Sequence, residues 1–259
     1  IDTSENKLIA GTSWLFSHDH MDQKLDYLFI DEAGQVALAN AVAAGTAAKN
    51  IVLIGDPNQL SNVNIGHHPG KSGLSSVEYV LGDDKTVPAN KGIFLEKTRR
   101  LNKQICEFVS EAFYDGRLSS FIENDNRKIL FKSPIQGINS QGIHVIYSDH
   151  IGCSQKSIEE GEVIKKLFTS FLKQSQITID GKNKPITIDD ILVVTPFNVQ
   201  VNFLQSILPV GARIGTIDKF QGQEASIVLI SMVSSSAEDM PRNIDFLFSK
   251  NRLNVALSR

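Results

Sequence analysis

The sequence predicts an α/β fold with mostly parallel sheets. Two observations indicate it: short apolar runs recur along the chain, and segments of helical periodicity separate them. The composition agrees, because 41% hydrophobic and 21% charged residues in a chain of 259 are typical of a globular protein. No apolar run approaches the ~18 residues of a membrane span. The formal net charge of −3 argues against a protein that coats nucleic acid by bulk charge.

The predicted strands are short apolar runs, often β-branched or aromatic, that end at turn or polar residues. They are Leu8–Gly11, Tyr27–Ile30, Ile51–Gly55, Ile93–Leu95, His144–Tyr147, Ile191–Thr195, Arg213–Ile217 and Ile227–Val233. The helix candidates between them are Val36–Ala48, Lys103–Asp115, Glu159–Lys173, Asn198–Ile207 and Ser249–Ser258. In Glu159–Lys173 the apolar residues fall on one stripe with charges opposite, as in an amphipathic helix.

Two stretches rich in polar and turn-forming residues, 62–90 and 119–142, look like connections. We therefore predict a first domain over residues 1–117, a connection over 118–141 and a second domain over 142–259. Cys106 and Cys153 are too few for a disulfide framework, which fits a reducing, cytoplasmic setting.

Two carboxylates follow one of the predicted strands. Asp31 and Glu32 come directly after the apolar residues 27–30. In open parallel sheets, ligands bind at the carboxyl ends of the strands. An acid there can hold Mg²⁺, and a second can orient or deprotonate a water molecule. A strand that simply ends in two solvated acids is an equally good interpretation of this segment alone.

A second predicted strand, Ile51–Gly55, ends in the same way. It is followed by Asp56 and, three residues later, by Gln59. A glutamine amide both donates and accepts hydrogen bonds, so it can contact a phosphate or an attacking water. An ordinary Asp-Pro turn is the alternative.

Five segments, in this order, resemble the motifs of superfamily 1 helicases. They are Asp31–Gln35 (motif II), Gly55–Leu60 (motif III), Thr98–Asn102 with the following Phe113–Leu118 (motif IV), Gly215–Glu224 (motif V) and Arg252–Arg259 (motif VI). Within the superfamily they look like the branch of the nonsense-mediated-decay RNA helicases and the DNA-replication helicase-nucleases. The resemblance implies two RecA-like P-loop NTPase domains, the first incomplete here, with ATP between them and Mg²⁺ as cofactor.

The resemblance also implies roles for single residues. Asp31 is then the Mg²⁺ ligand, Glu32 the base or water-orienting group, and Gln59 the sensor of the γ-phosphate. Arg100 and Arg259 stabilise charge on the transferring phosphoryl group, for which the fixed fork of arginine is well suited.

Motif IV departs from the family pattern. Arg99 stands where the family usually has an aromatic residue, so the choice between Arg99 and Arg100 stays open, with the alignment favouring Arg100.

Further residues are assigned by the same resemblance. Asp56, Gln221, Gly222 and Glu224 become nucleotide contacts, with Glu224 near the ribose or linking the two domains. The implied nucleic-acid contacts are Thr12, Ser13, Thr195, Pro196 and Thr216. For the segments around Thr12 and Thr195, a plain strand-to-helix cap is the alternative.

The phosphate-binding loop of the family is not in the 259 residues. Gly70-Lys71-Ser72 does not supply it, because Ile65 stands where the pattern requires its first glycine. We expect the loop to precede these residues in a longer parent protein. We also expect the 259 residues alone to be inactive as an ATP hydrolase.

The function implied is that of an ATP-dependent helicase, which couples ATP hydrolysis to movement along single-stranded DNA or RNA. Gly11–Trp14 and His67–Gly70 also look like bacterial helicases fused to a RecB-like nuclease. That resemblance favours DNA and a nuclease domain in the same parent chain. The alternatives are an NTP-driven remodeller that does not unwind, and an inactive module that only binds nucleic acid.

Overall fold

A computed structural model describes residues 8–60, 62, 69–220, 222–236, 238–239 and 249–259. The chain divides between Phe94 and Leu95 into two compact units. The predicted connection, residues 118–141, belongs to the second unit. Where the two predicted domains meet stays a prediction.

Two parallel strands form the centre of the first unit, β1 (Leu25–Ile30) and β2 (Ala48–Leu53). The helix α2 (Leu38–Gly45), rich in the strong helix former alanine, connects them, and the short α1 (Ser13–Phe16) precedes β1. The core of this unit includes Phe16, Met21, Leu28 and Ala44. Because the strands are parallel, their carboxyl ends share one edge of the sheet.

A third helix of the first unit, α3 (Ser76–Leu81), lies in a stretch that the sequence predicts to be a connection. Its start is a capping box: Glu78 N donates to Ser75 Oγ, and Ser75 N donates to the Glu78 carboxylate. The helix packs Val77 and Leu81 against Ala33.

The second unit begins with a short parallel pair, β3 (Lys97–Thr98) and β4 (Ser119–Ser120), on either side of α4 (Lys103–Phe113) in the chain. Asn102 caps α4, because its side-chain oxygen accepts from Ile105 N at 3.0 Å. An antiparallel sheet that the sequence analysis missed consists of β5 (Lys128–Leu130), β6 (Ser175–Ile177) and β7 (Asn183–Pro185). The helix α5 (Ile158–Phe171) lies between β5 and β6 in the chain.

A parallel sheet forms the core of the second unit. β8 (Ile191–Val194) lies between β9 (Arg213–Gly215) and β10 (Ile227–Ile230), and all four of its residues are buried. The helix α6 (Asn198–Ile207) joins β8 to β9, and α7 (Lys250–Leu257) comes last. The side chains packed in this core come from α5, α6 and the three strands, and include Ile164, Phe168, Val193, Leu204, Ile214 and Leu229.

The predicted α/β class with mostly parallel strand pairing is confirmed. Three predicted strands are wrong: residues 8–11, 93–95 and 144–147 are all described, and none of them is extended against a partner strand. Leu8, Ile93 and Tyr147 are 88%, 87% and 90% exposed, so each run has an apolar side chain in solvent. Over the described ranges, none of the helices is both long enough and apolar enough to cross a membrane.

Candidate functional site

The two acidic and amide segments of the first unit meet at one edge of its sheet. Ile54 N donates to Ile30 O and Ala33 N donates to Ile54 O, both at 2.9 Å, so the backbone pairing continues past the strands. The residues after β1 and β2 therefore lie side by side. The expectation that both segments follow parallel strands at the same edge is confirmed.

Two glycines allow this close approach. A Cβ built on Gly55 would lie 2.9 Å from Gly34 N and 3.0 Å from Ala33 N. A Cβ on Gly34 would lie 3.1 Å from Asp56 O. Since these neighbours are backbone atoms, any side chain at Gly55 forces the two segments apart.

Asp31 and Glu32 are both exposed at this edge. Asp31 Oδ1 accepts from Glu32 N at 2.9 Å, and Glu32 has a left-handed backbone with φ of +52°. Gln35 Nε2 lies 3.4 Å from Glu32 Oε2, where it donates a long hydrogen bond. The left-handed turn reverses the chain directly after the strand, which is the kind of special backbone that functional sites often contain.

Asp56 and Gln59 are half-buried and linked to each other. Gln59 Nε2 donates to Asp56 Oδ2 at 3.0 Å, and Asn58 N donates to Asp56 Oδ1 at 2.9 Å. The Asp56 carboxylate thus fixes the shape of its own loop and orients the Gln59 amide.

A residue that the sequence analysis missed supports the loop after β1. Ser76, at the start of α3, is buried, and its hydroxyl donates to Ala33 O at 2.9 Å. The capping-box pattern Ser-x-x-Glu at Ser75 was the sequence signal that would have placed a helix start here.

The chemistry of this edge fits Mg²⁺. Asp31 presents an exposed carboxylate, the hard oxygen ligand that Mg²⁺ prefers. Within the described residues there is no group of three or more His, Cys, Asp or Glu side chains that would enclose a metal. A single protein carboxylate suits Mg²⁺, which usually keeps several waters and binds the phosphates of a substrate as well.

In the second unit, the guanidinium of Arg100 lies among residues of motifs V and VI. Arg100 Nε donates to Glu224 Oε2 at 3.1 Å, and Arg100 Nη1 donates to Ser258 O at 3.1 Å. The neighbouring Arg99 instead stacks on the ring of Phe121, with its Cζ 4.2 Å from the ring centroid. The structure therefore separates the two arginines that the sequence left as alternatives.

Arg259 is 6% exposed, and backbone carbonyls surround its guanidinium. Arg259 Nε donates to Val255 O at 2.8 Å, and Nη1 donates to Phe220 O at 3.2 Å and to Gln223 O at 3.5 Å. In this arrangement, Arg259 ties the end of α7 to motif V.

Two of the predicted nucleotide contacts of motif V, Gly222 and Glu224, are exposed. Glu224 is exposed and paired with Arg100. Gly222 is exposed with φ of +74°, a left-handed position that glycine adopts without strain. Gln221 lies outside the described residues.

The predicted nucleic-acid contacts differ in accessibility. Thr12 is exposed at the start of α1 and Ser13 is half-buried. Pro196 and Thr216, which follow β8 and β9, are half-buried. Thr195 is completely buried, and its hydroxyl has no hydrogen-bond partner among the described residues. The Thr195 hydroxyl can therefore contact a nucleic-acid strand only after a local rearrangement of the protein.

Comparison with known proteins agrees with these motifs. A family model described as an AAA domain matches residues 81–259, and a second model of the same description matches residues 4–65. The chain belongs to this family. Its motifs and relatives place it among the superfamily 1 helicases, in the branch that contains the nonsense-mediated-decay helicases and the replication helicase-nucleases.

Several curated relatives of this chain carry helicase names. It is 27% identical to the "DNA polymerase alpha-associated DNA helicase A" of Schizosaccharomyces pombe, over 92% of the chain and 36% of that protein. It is 28% identical to the "DNA replication ATP-dependent helicase/nuclease dna2" of the same yeast, over 92% of the chain and 18% of that protein. It is 26% identical to the "ATP-dependent helicase upf1" of S. pombe, over 91% of the chain and 26% of that protein. The chain thus spans little more than a third, or less, of these relatives.

Proposed function

We propose that these residues are part of the motor of an ATP-dependent helicase that moves along single-stranded nucleic acid, with DNA as the favoured strand. The observation that carries the proposal is the shared sheet edge of the first unit. There Asp31, Glu32 and Gln59 follow two paired parallel strands whose continuations touch backbone to backbone. Names of relatives support DNA, because two of them are called DNA helicases or replication helicases.

The proposed chemistry at this edge is phosphoryl transfer from ATP to water. Asp31 would hold Mg²⁺, which would supply positive charge that offsets charge on the phosphate oxygens. Glu32 orients the attacking water and takes its proton. Gln59, whose amide Asp56 already orients at 3.0 Å, contacts the γ-phosphate or the water.

The proposed charge stabilisation comes from Arg100 and Arg259. Arg100 has an exposed partner, Glu224, which it exchanges easily because exposed ion pairs are weak. Arg259 leaves its carbonyl partners only when motif V moves against α7. We therefore propose that Arg100 is the first of the two arginines to contact the transferring phosphoryl group. Arg259 contacts it after a rearrangement of motif V.

The proposed strand contacts are Thr12 and Ser13 in the first unit and Thr195, Pro196 and Thr216 in the second. Their hydroxyls and neighbouring backbone amides bind phosphates without reading sequence. A nuclease domain elsewhere in the parent protein is part of the same proposal, supported by the relative named helicase/nuclease.

The test is strand displacement by the natural protein that carries this chain. A DNA duplex with a single-stranded tail is incubated with ATP and Mg²⁺, and an RNA duplex of the same sequence is assayed beside it. We expect ATP-dependent separation of the DNA duplex. ATP hydrolysis without separation of either duplex would favour the remodeller. Strand binding without hydrolysis would favour the inactive module.

A further inference from the structure

The loop after β10 contains a strained turn. Val233 has φ of +71°, and Ser234 N donates to Met232 O at 2.8 Å, so the bond spans two residues. A positive φ closed by such a bond is a γ-turn of the rare, strained kind. A β-branched residue is poorly suited to it, yet Val233 is fully buried. Such strain persists only where the surroundings enforce it.

One carboxylate enforces the turn. Glu160, on α5, accepts from Val233 N with both oxygens, at 3.0 and 3.1 Å. Its Oε2 also accepts from Ser231 Oγ at 2.5 Å, and His150 Nε2 lies 3.2 Å from its Oε1. A carboxylate accepts only, so His150 carries a hydrogen on Nε2. The Glu160 side chain is only 15% exposed, and hydrogen bonds are electrostatically stronger at such a buried position than in water.

A second set of bonds closes the loop onto residues 150–153. His150 Nδ1 lies 2.7 Å from Ser235 Oγ, which also accepts from Cys153 N at 2.9 Å. Ser235 N donates to Cys153 O at 2.9 Å. In the neutral His150 ring with its hydrogen on Nε2, Nδ1 accepts from the Ser235 hydroxyl. None of these groups takes part in the proposed hydrolysis.

The strained loop lies beside Thr195 at the carboxyl edge of the second sheet. Ser231 N donates to Val194 O at 2.9 Å, and Thr195 N donates to Gly215 O at 3.1 Å. The edge therefore holds a strained turn next to a buried hydroxyl without a partner among the described residues. Both features are unfavourable, because a strained turn and a buried hydroxyl without a partner each cost free energy.

We propose that the loop 231–235 is a latch over this edge, and that Glu160 is the positioning residue that keeps it closed until a single strand binds. The inference rests on the proposed function, because the ligand is the strand proposed there. Opening breaks the bonds of Val233 to Glu160 and frees Thr195 to contact the strand. Weakening the bonds of Val233 to Glu160 should therefore tighten binding of the nucleic-acid strand, since less free energy is needed to open the loop.

The experiment measures strand affinity of the natural protein without nucleotide, using fluorescein-labelled oligothymidylate and oligouridylate. The Glu160→Gln variant keeps the shape of the side chain and loses its charge. Glu162→Gln is the matched control, because it removes the same charge from an exposed position of the same helix. We expect Glu160→Gln to bind the strand about tenfold more tightly than wild type, within the usual range of coupling between sites. Glu162→Gln should bind as wild type does.

The sign separates a latch from a merely structural role, because a damaged fold binds more weakly. Adding Thr195→Val to Glu160→Gln should remove the gain. Equal or weaker binding by Glu160→Gln overturns the latch while the proposed function stands. A wild-type protein that binds neither oligonucleotide overturns the proposed function itself, and the latch with it.

Hydrogen exchange of the wild-type protein gives a second readout that does not depend on a folded variant. The amide of Val233 should exchange faster when oligothymidylate is bound, because its bonds to Glu160 open. Unchanged or slower exchange at Val233 on binding overturns the latch.

Discussion

Arg99 and Arg100 are neighbours in sequence, yet their guanidinium groups have different surroundings. Arg99 stacks on Phe121, while Arg100 pairs with Glu224 and with Ser258 O. The sequence alone did not decide between them, because the residues of this motif depart from the family pattern. Their three-dimensional surroundings support the prediction of Arg100, since of the two only Arg100 bonds to residues of motifs V and VI.

Replacing Arg100 by Ala should lower the kcat of ATP hydrolysis by about 10³-fold or more, the loss typical of an arginine that stabilises a transferring phosphate. Arg99→Ala is the matched control and should leave kcat within about twofold, because its cation–π contact lies at a different place. Steady-state hydrolysis by the natural protein at saturating ATP and strand measures both. Equal losses in the two variants would contradict the assignment of Arg100.

Thr195 gives a second prediction at the residue scale. Its hydroxyl is buried without a partner among the described residues, a situation that costs about 1–3 kcal/mol. Thr195→Val has the same shape without the hydroxyl, so it should raise the free energy of unfolding by about 1 kcal/mol while it weakens strand binding. Urea unfolding and oligothymidylate titration measure the two effects. Lower stability of the Val variant would show that the hydroxyl has a partner in solution.

At the scale of elements, the predictions were right for segments that combine a clear pattern of apolar residues with packing of those residues against the rest of the fold. The helix Asn198–Ile207 has the predicted bounds, and the strands after which Asp31, Thr195 and Thr216 follow are present. The predictions of strands at 93–95 and 144–147 were wrong, because a short apolar run does not by itself specify a partner strand. The antiparallel sheet β5–β6–β7 was missed because its three-residue strands are too short to show alternation.

The candidate site was predictable to the same extent. The motifs named the candidate side chains, whose roles stay a prediction, and the parallel strands placed Asp31 and Gln59 at one edge. The buried state of Thr195 and Arg259 was not predictable, because it depends on packing between residues far apart in sequence. The network around Glu160 was missed for the same reason, since its bonds join α5 to a loop about 70 residues away.

The turn before β8 makes the second unit sensitive to acid. Burial by itself raises the pKa of Asp190, but hydrogen bonds from Lys184 and Thr187 outweigh it and lower the pKa to about 2 from 3.8. A depressed carboxyl pKa adds stability above the unfolded-state value, and this stability is lost as the pH falls from about 4 towards 2.

Asp190→Asn should therefore reduce the free energy of unfolding by roughly 2 kcal/mol at pH 7. The difference from wild type should shrink as the pH falls below 4, since the wild-type carboxyl then becomes protonated. Asp189→Asn, at an exposed neighbouring position, is the control and should change little. Denaturant unfolding at a series of pH values measures this, and a difference independent of pH would rule out the carboxylate as its cause.

At the scale of the whole molecule, each unit places motif residues at the carboxyl edge of a parallel sheet. In the first unit Asp31, Glu32 and Gln59 lie at that edge, and in the second the buried Thr195, the half-buried Thr216 and the strained loop after β10 lie there. The first edge has the chemistry of phosphate transfer, and the second has hydroxyls and backbone turns suited to a phosphate backbone.

The most direct test of the account is ATP hydrolysis by the natural protein with and without oligothymidylate, comparing wild type with Glu32→Gln. Asp26→Asn is the control, because Asp26 is an exposed acid near the start of the same strand, β1. The account predicts strand-stimulated hydrolysis by wild type and by Asp26→Asn. It predicts a kcat about 10²-fold or more lower for Glu32→Gln, the loss expected for a general base, with KM for ATP little changed. A Glu32→Gln protein that hydrolyses ATP at the wild-type rate would contradict the account.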